Sequence, residues 1–194
     1  MQIKRCIIKM KWWPSLLINK FQFCLRKIEY GCHLVTYGKI FVRGTGKIRI
    51  GNNVTITSCR EMNPIGGDVK TILYVKKRGT ISIGDNVGMS NVTIVSLDSI
   101  TIEENVFIGG NCKIYDNDFH PLNYEQRMAS SNENIVSKPI TIKKGAFIGA
   151  HSIILKGVTI GEKSIIGAGS VVTKSIPDGE IWGGNPAKFI KKII

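Results

Sequence analysis

The sequence predicts an all-β fold, a solenoid of short parallel rungs, on three observations. Aliphatic residues recur at a strict period of six: Ile142, Ile148, Ile154, Ile160, Ile166 and Val172. Glycine follows the aliphatic at Gly149, Gly161 and Gly167, and four places after it comes a small or short-branched residue, as at Ala146, Ser152, Val158, Ser164 and Ser170. A six-residue period is neither the 3.6 of a helix nor the 2 of an isolated strand, but it suits flat rungs joined by tight turns.

Each flat face then supplies an inward aliphatic plug, and glycine or Asn/Asp takes the turn position where φ can be positive. Three faces per coil put Ile142 beside Ile160, Ile148 beside Ile166 and Ile154 beside Val172, at the roughly 4.8 Å inter-strand spacing. These stacked aliphatics are core and carry no chemistry. The same register occurs earlier, at Ile102, Ile108 and Ile114 with Val106 and Cys112, at Ile83-Gly84 with Val87, and at Ile50-Gly51 with Val54. It is ragged before Ile83, where "EMNPIGGDVKTILYVKKRGT" predicts a bulged turn. The repeat divides the chain into a basic segment 1–38, a coil stack 39–176 interrupted by an aperiodic polar insertion 115–139, and a tail 177–194.

In the segment 1–38, "SLLINKFQFCLRKI" after Pro14 spaces Leu16, Leu17, Phe21, Leu25 and Ile28 close to a helical period. Such a helix either caps the first coil or lies on an anionic membrane. The cap is the expected role, and the charge keeps the membrane as the alternative: residues 1–30 hold Lys4, Arg5, Lys9, Lys11, Lys20, Arg26 and Lys27 against Glu29 alone, within a formal net charge of +13. No helix-turn-helix, zinc finger or RNP-like motif accompanies the charge, so nucleic acid is not the expected partner. No apolar run reaches the roughly 18 residues needed to span a bilayer, and "WWPSLLI" is broken by Pro14 and lacks a cleavage site. A cytoplasmic protein is expected, at most touching the inner face of the membrane. Five scattered cysteines predict reduced thiols rather than a disulfide framework.

The insertion contains "YDNDFHP". A histidine is the common side chain able to take up a proton near neutral pH and give it back, so His120 is the candidate general base. Pro121 biases its backbone toward an extended form. Asp118 and Asp116 either hold the tautomer of the ring or sit as loop surface charges. His33 lies outside the predicted coils, and His151 follows a coil turn as an exposed rung residue. Together the three histidines lack the spacing of a metal site, and no metal is expected.

The repeat, the His-bearing insertion and the ending "IPDGEIWGGNPAKFIKKI" together resemble the hexapeptide-repeat acyltransferases, in the branch of the galactoside, maltose and polysaccharide O-acetyltransferases. The resemblance implies a left-handed parallel β-helix, a homotrimer, and acetyl-CoA as co-substrate, with His120 as base, assisted by Asp118. It places Asn91 in the acceptor pocket, where Asp116 is a further contact candidate. Phe147 is placed at the thiol end of the CoA channel, and the backbone amides of Ala150 and Ala168 along the pantetheine arm. Thr173, Lys174, Lys188 and Lys191 fall where the family meets the adenosine 3'-phosphate. Trp182 departs from the smaller residue of that tail and either narrows the channel or packs on the last coil. The implied function is acetyl transfer to a sugar hydroxyl, in polysaccharide or lipopolysaccharide assembly. The alternatives are an N-acetyltransferase of an amino sugar, an antibiotic acetyltransferase, and a non-catalytic β-helix scaffold.

Overall fold

The structure, a computed structural model, describes residues 2–76, 78–129 and 134–193, with side chains from residue 12 onward. The chain opens with helix α1 (Gln2–Leu25) and then winds into coils of three strands each. The first coil holds β1 (Glu29–Tyr30), β2 (Val35–Tyr37) and β3 (Phe41–Gly44), and the second β4 (Lys47–Ile50), β5 (Thr55–Thr57) and β6 (Ile72–Val75). The third holds β7 (Thr80–Ile83), β8 (Gly88–Ser90) and β9 (Thr93–Ser96), and the fourth β10 (Ser99–Ile102), β11 (Phe107–Ile108) and β12 (Lys113–Tyr115). After an insertion bearing α2 (Tyr124–Met128) come β13 (Ile140–Ile142), β14 (Phe147–Ile148) and β15 (Ile153–Ile154). The last coil is β16 (Thr159–Ile160), β17 (Ile165–Ile166) and β18 (Val171–Val172), followed by the hairpin β19 (Glu180–Gly183) and β20 (Lys188–Lys192).

Equivalent strands of successive coils pair in parallel into three sheets, a left-handed parallel β-helix. Sheet A runs β1-β4-β7-β10-β13-β16, sheet B runs β2-β5-β8-β11-β14-β17-β19-β20, and sheet C holds β3, β6, β9, β12, β15 and β18. The register is the stacking that the period predicts: Ile142 beside Ile160, Ile148 beside Ile166, Ile154 beside Val172. Across the insertion the ladder resumes unshifted, Ile102 beside Ile142 and Ile114 beside Ile154. A one-residue slip would turn the aliphatics outward, and the buried column is what forbids it.

Four expectations need correction. The coil stack begins at Glu29 rather than residue 39, so His33 sits in the turn of the first coil, at φ 57°. The ragged stretch before Ile83 is no bulged turn but a full loop, residues 58–71, carrying a short 3-10 turn at Pro64–Gly66. The stack also runs past residue 176: β19 adds a rung to sheet B, and Trp182 packs against the core beside Ile166, the second of its two readings. The repeat glycines serve a different purpose from the one the pattern suggests. Asn53, Asn86 and Asn105 do take the left-handed turn position, but Gly149 and Gly161 have no positive φ. They are glycine because coils approach too closely for a side chain, since a Cβ on Gly149 would lie 2.5 Å from the amide nitrogen of Ala168.

Helix α1 runs through Pro14 instead of starting after it, with the Ser15 hydroxyl bonded to the Trp12 carbonyl at 2.7 Å in that turn. The helix caps the first coil. A terminal rung exposes backbone groups that no further coil can pair. Asn19, fully buried, donates to the carbonyl of Gly38 at 3.0 Å and accepts from the Ile40 amide at 3.0 Å. Gln22 donates to the Ile40 carbonyl and Arg26 to that of Gly44, while Phe23 fills the end of the core. Asn19→Ala leaves a buried donor and acceptor unmade and is expected to cost about 2 to 4 kcal/mol, read as a lowered midpoint in thermal or urea unfolding.

The thiols divide by burial. Cys112 is a core residue, and burial pushes its thiol up to about 11, whereas Cys24 and Cys32 are exposed. At pH 8 the native protein is expected to react with iodoacetamide at Cys24 and Cys32, with Cys112 on the order of 10² slower until the chain is unfolded. Peptide mapping of the alkylated sites checks this.

Candidate active site

The insertion leaves the stack between β12 and β13, at the edge where sheet C hands over to sheet A. Its root is a short antiparallel ladder: the Lys138 amide donates to the Asp116 carbonyl at 2.9 Å, the Asp118 amide to the Val136 carbonyl at 3.1 Å, and Asn117 bridges Ser137. Asn117 Oδ1 accepts from the Phe119 amide at 3.0 Å, which closes an Asx turn and puts Phe119 at φ 62°. The Asp118 carbonyl then accepts from the His120 amide at 2.7 Å, and the Phe119 ring meets Tyr115 edge-on at 5.2 Å. The outcome is a fixed backbone beneath an exposed imidazole with no hydrogen-bond partner among the described residues.

Asp116 is fully buried. Its Oδ1 accepts from the Leu97 amide at 2.8 Å and Asn117 Nδ2 at 3.0 Å, and its Oδ2 from Ser96 Oγ at 2.8 Å and the Asp98 amide at 2.9 Å. Four donors use up this carboxylate, so it fastens the root of the loop and, among the described residues, makes no bond to the His120 ring. Asp118 is not a loop surface charge. Its Oδ1 pairs with Lys156 Nζ, from the turn between β15 and β16, and its Oδ2 is buried with no partner among the described residues. Asn91 is buried as well, at φ 53°, with its amide nitrogen bonded to the Val69 carbonyl and its Oδ1 unpartnered. Among the described residues, these two oxygens are the buried side-chain atoms left without a hydrogen bond. Buried acceptors are ordinarily paired, which sets both oxygens apart from the other buried polar atoms of the described residues.

The predicted CoA contacts lie in several places. Ala150 and Ala168 stand one coil apart at the edge between sheets B and C, where Gly149 and Gly109 let successive coils close to van der Waals limits. Among the described residues neither alanine amide has an acceptor. The loop 58–71 folds over the same edge, with Gly66 backed on Gly110 and Asn91 so tightly that a Cβ would lie 2.5 Å from the Asn91 side chain. Phe147 is exposed on sheet B directly beside Phe107, and the two rings line one open cavity with Thr55, Ser90 and Gly109. His151 is exposed in the turn just beyond Ala150, its Nδ1 3.2 Å from Asn111 Nδ2. Thr173 and Lys174 lie exposed after β18, and Lys188 and Lys191 lie exposed on β20.

Within one chain these groups are not brought together. His120 sits at the edge between sheets C and A, and the Ala150–Ala168 column at the edge between sheets B and C. Lys156 is not singled out by the sequence, and the loop 58–71 is expected from it only as a bulged turn. Neither has a periodic signal, since the lysine is one of many and the loop shows only as a gap in the repeat. Among the described residues no group of His, Cys, Asp and Glu is arranged to hold a metal.

The family model described as the hexapeptide repeat of succinyl-transferase matches residues 99–114 and 139–174, the two stretches on either side of the His120 insertion. No curated protein matches the chain in sequence. Among solved structures it is similar to a variant of AntD, an N-acyltransferase from Bacillus cereus in complex with dTDP-4-amino-4,6-dideoxyglucose and coenzyme A, at 26% identity and TM-score 0.65, over 89% of each chain. It is similar also to the hexapeptide-repeat-containing acetyltransferase VCA0836 of Vibrio cholerae with acetyl coenzyme A, at 25% identity and TM-score 0.61, over 93% of this chain and 83% of that one. A galactoside acetyltransferase in complex with coenzyme A matches at 27% identity and TM-score 0.51, over 86% of this chain and 65% of that one. The neighbours with coenzyme A are acyltransferases, and they support the same class for this chain.

Proposed function

We propose that the protein is an acetyl-CoA-dependent O-acetyltransferase acting on a sugar hydroxyl in cytoplasmic polysaccharide or lipopolysaccharide assembly, and that it works as a homotrimer. The observation that carries the reading is the exposed His120, held on a fixed root, together with the unused amides of Ala150 and Ala168 at another edge of the prism. The thioester supplies an activated acetyl group. His120 takes the proton of the sugar hydroxyl as its oxygen attacks the thioester carbonyl, and returns that proton to the departing thiolate. Amide N–H groups along the coil edge bond the pantetheine arm and the developing oxyanion. Phe147 walls the thiol end, while Thr173, Lys174, Lys188 and Lys191 meet phosphate. Asn91 Oδ1 and Asp118 Oδ2 are the acceptors left for acceptor sugar and ring. Because the base and the amide column sit at different edges of one chain, a working site takes one from each of two neighbouring subunits.

The AntD likeness favours a second reading, acyl transfer to the amino group of a nucleotide-linked sugar. A panel of hydroxyl and 4-amino sugars, free and nucleotide-linked, assayed with labelled acetyl-CoA separates the two. Label in an alkali-labile ester supports the proposal. Label only in amides supports the second reading, and no transfer to any member returns the chain to a scaffold.

A further inference from the structure

The helix that caps the first coil has a second apolar face. Asn19, Gln22 and Phe23 face the coils, yet Trp13, Leu17, Phe21 and Leu25, spaced four apart, are 62%, 54%, 66% and 67% exposed, with Ile18 beside them at 44%. Large side chains so exposed on one stripe mark a surface made to be covered. The inner face alone secures the cap, so the outer stripe is not needed to hold the fold. It is continuous with an open apolar groove of about 500 Å³ between α1 and β2, lined by Trp12, Trp13, Leu16, Leu34 and Val35.

We propose that this outer face of α1 docks the protein on an anionic lipid surface. Charge selects that occupant. The helix carries Lys4, Arg5, Lys9, Lys11 and Lys20 and no acidic residue, and Arg26 and Lys27 follow directly. The side chains of Lys4, Arg5, Lys9 and Lys11 lie outside the described residues. Aromatic and aliphatic residues on one face with lysines in the same helix are the pattern of helices that lie in the headgroup layer, where each basic residue adds attraction to anionic lipid. No helix among the described residues is long and apolar enough to cross a membrane, so the contact is peripheral. Position agrees: the cap closes the end of the coil stack, where its outer face points away from the prism walls. Capping and membrane contact, alternatives in the sequence, use opposite faces of one helix. The inference stands whether or not the protein transfers acetyl groups.

Co-sedimentation of the full chain with vesicles tests it, phosphatidylcholine alone against phosphatidylcholine with phosphatidylglycerol, at low and high salt. Binding is expected to favour the acidic vesicles by at least about tenfold and to weaken with salt. The double variant Leu17→Glu with Phe21→Glu is expected to lose at least about tenfold of that binding, with an unchanged unfolding midpoint and sedimentation coefficient, because both positions are exposed. Equal binding to both vesicle types, binding to neither, or undiminished binding by the double variant overturns the proposal. A change of oligomeric state in the double variant does so too, because the stripe is then covered by a second copy.

Discussion

Replacing His120 by alanine lowers acetyl-CoA-dependent turnover by on the order of 10² to 10⁴, the range for a lost general base. Its ring is exposed and, among the described residues, unbonded, while the backbone beneath it is fixed by Asn117 and Asp118, so the substitution removes chemistry without disturbing the fold. The unfolding midpoint and the affinity for CoA are expected to stay at wild-type values. Lys174→Ala should behave oppositely: a phosphate contact holds ground and transition states alike, so KM for acetyl-CoA rises while turnover at saturation changes little. Steady-state kinetics on the two variants separate the roles. Full turnover in His120→Ala would leave this histidine an ordinary loop residue.

Asp116→Ala is the substitution with the largest expected cost in stability. It strips the shared acceptor from Ser96 Oγ and Asn117 Nδ2, both buried, and from the amides of Leu97 and Asp98, both half-buried. Such orphaned donors add to about 3 to 5 kcal/mol, to be read in urea unfolding. The same carboxylate ties the start of the insertion to the β9–β10 turn, so activity below the melting point should also fall, on the order of tenfold, as His120 loses its anchor. A stable, fully active Asp116→Ala protein would show that the loop root is held by other bonds.

The coil stack was legible because a parallel β-helix repeats its environment. The same inward position recurs every six residues, so Ile142, Ile160 and their kin announce the rungs and their register directly. The ends were not legible, because a terminal coil is closed by whatever fits. Asn19 meets Gly38 and Ile40 through amide geometry that leaves no period, and the short rung at Glu29–Tyr30 keeps Gly31 but carries Tyr30 at the aliphatic position and Leu34 at the small one. His120 could be singled out by chemistry in a break of the rhythm. Asp116 and Asp118 could not be told apart by sequence, since both are acids in the same turn. Burial separates them: one spends its oxygens on the loop root, and the other divides them between Lys156 and an empty bond.

The central claim is that a working site joins His120 of one subunit to the Ala150–Ala168 edge of its neighbour, and subunit mixing tests it most directly. His120→Ala lacks the base, and Ala168→Trp, on an exposed position, blocks the amide column, so each homotrimer alone is expected to be inactive. Co-expressed with different tags and purified through both, every trimer contains both chains. Going round a threefold ring of two kinds of subunit, one junction of the three then pairs an intact His120 with an intact edge. The account predicts about one third of wild-type activity in the mixed trimers. Mixed assemblies as inactive as their parents would contradict it and place base and cofactor edge in the same chain.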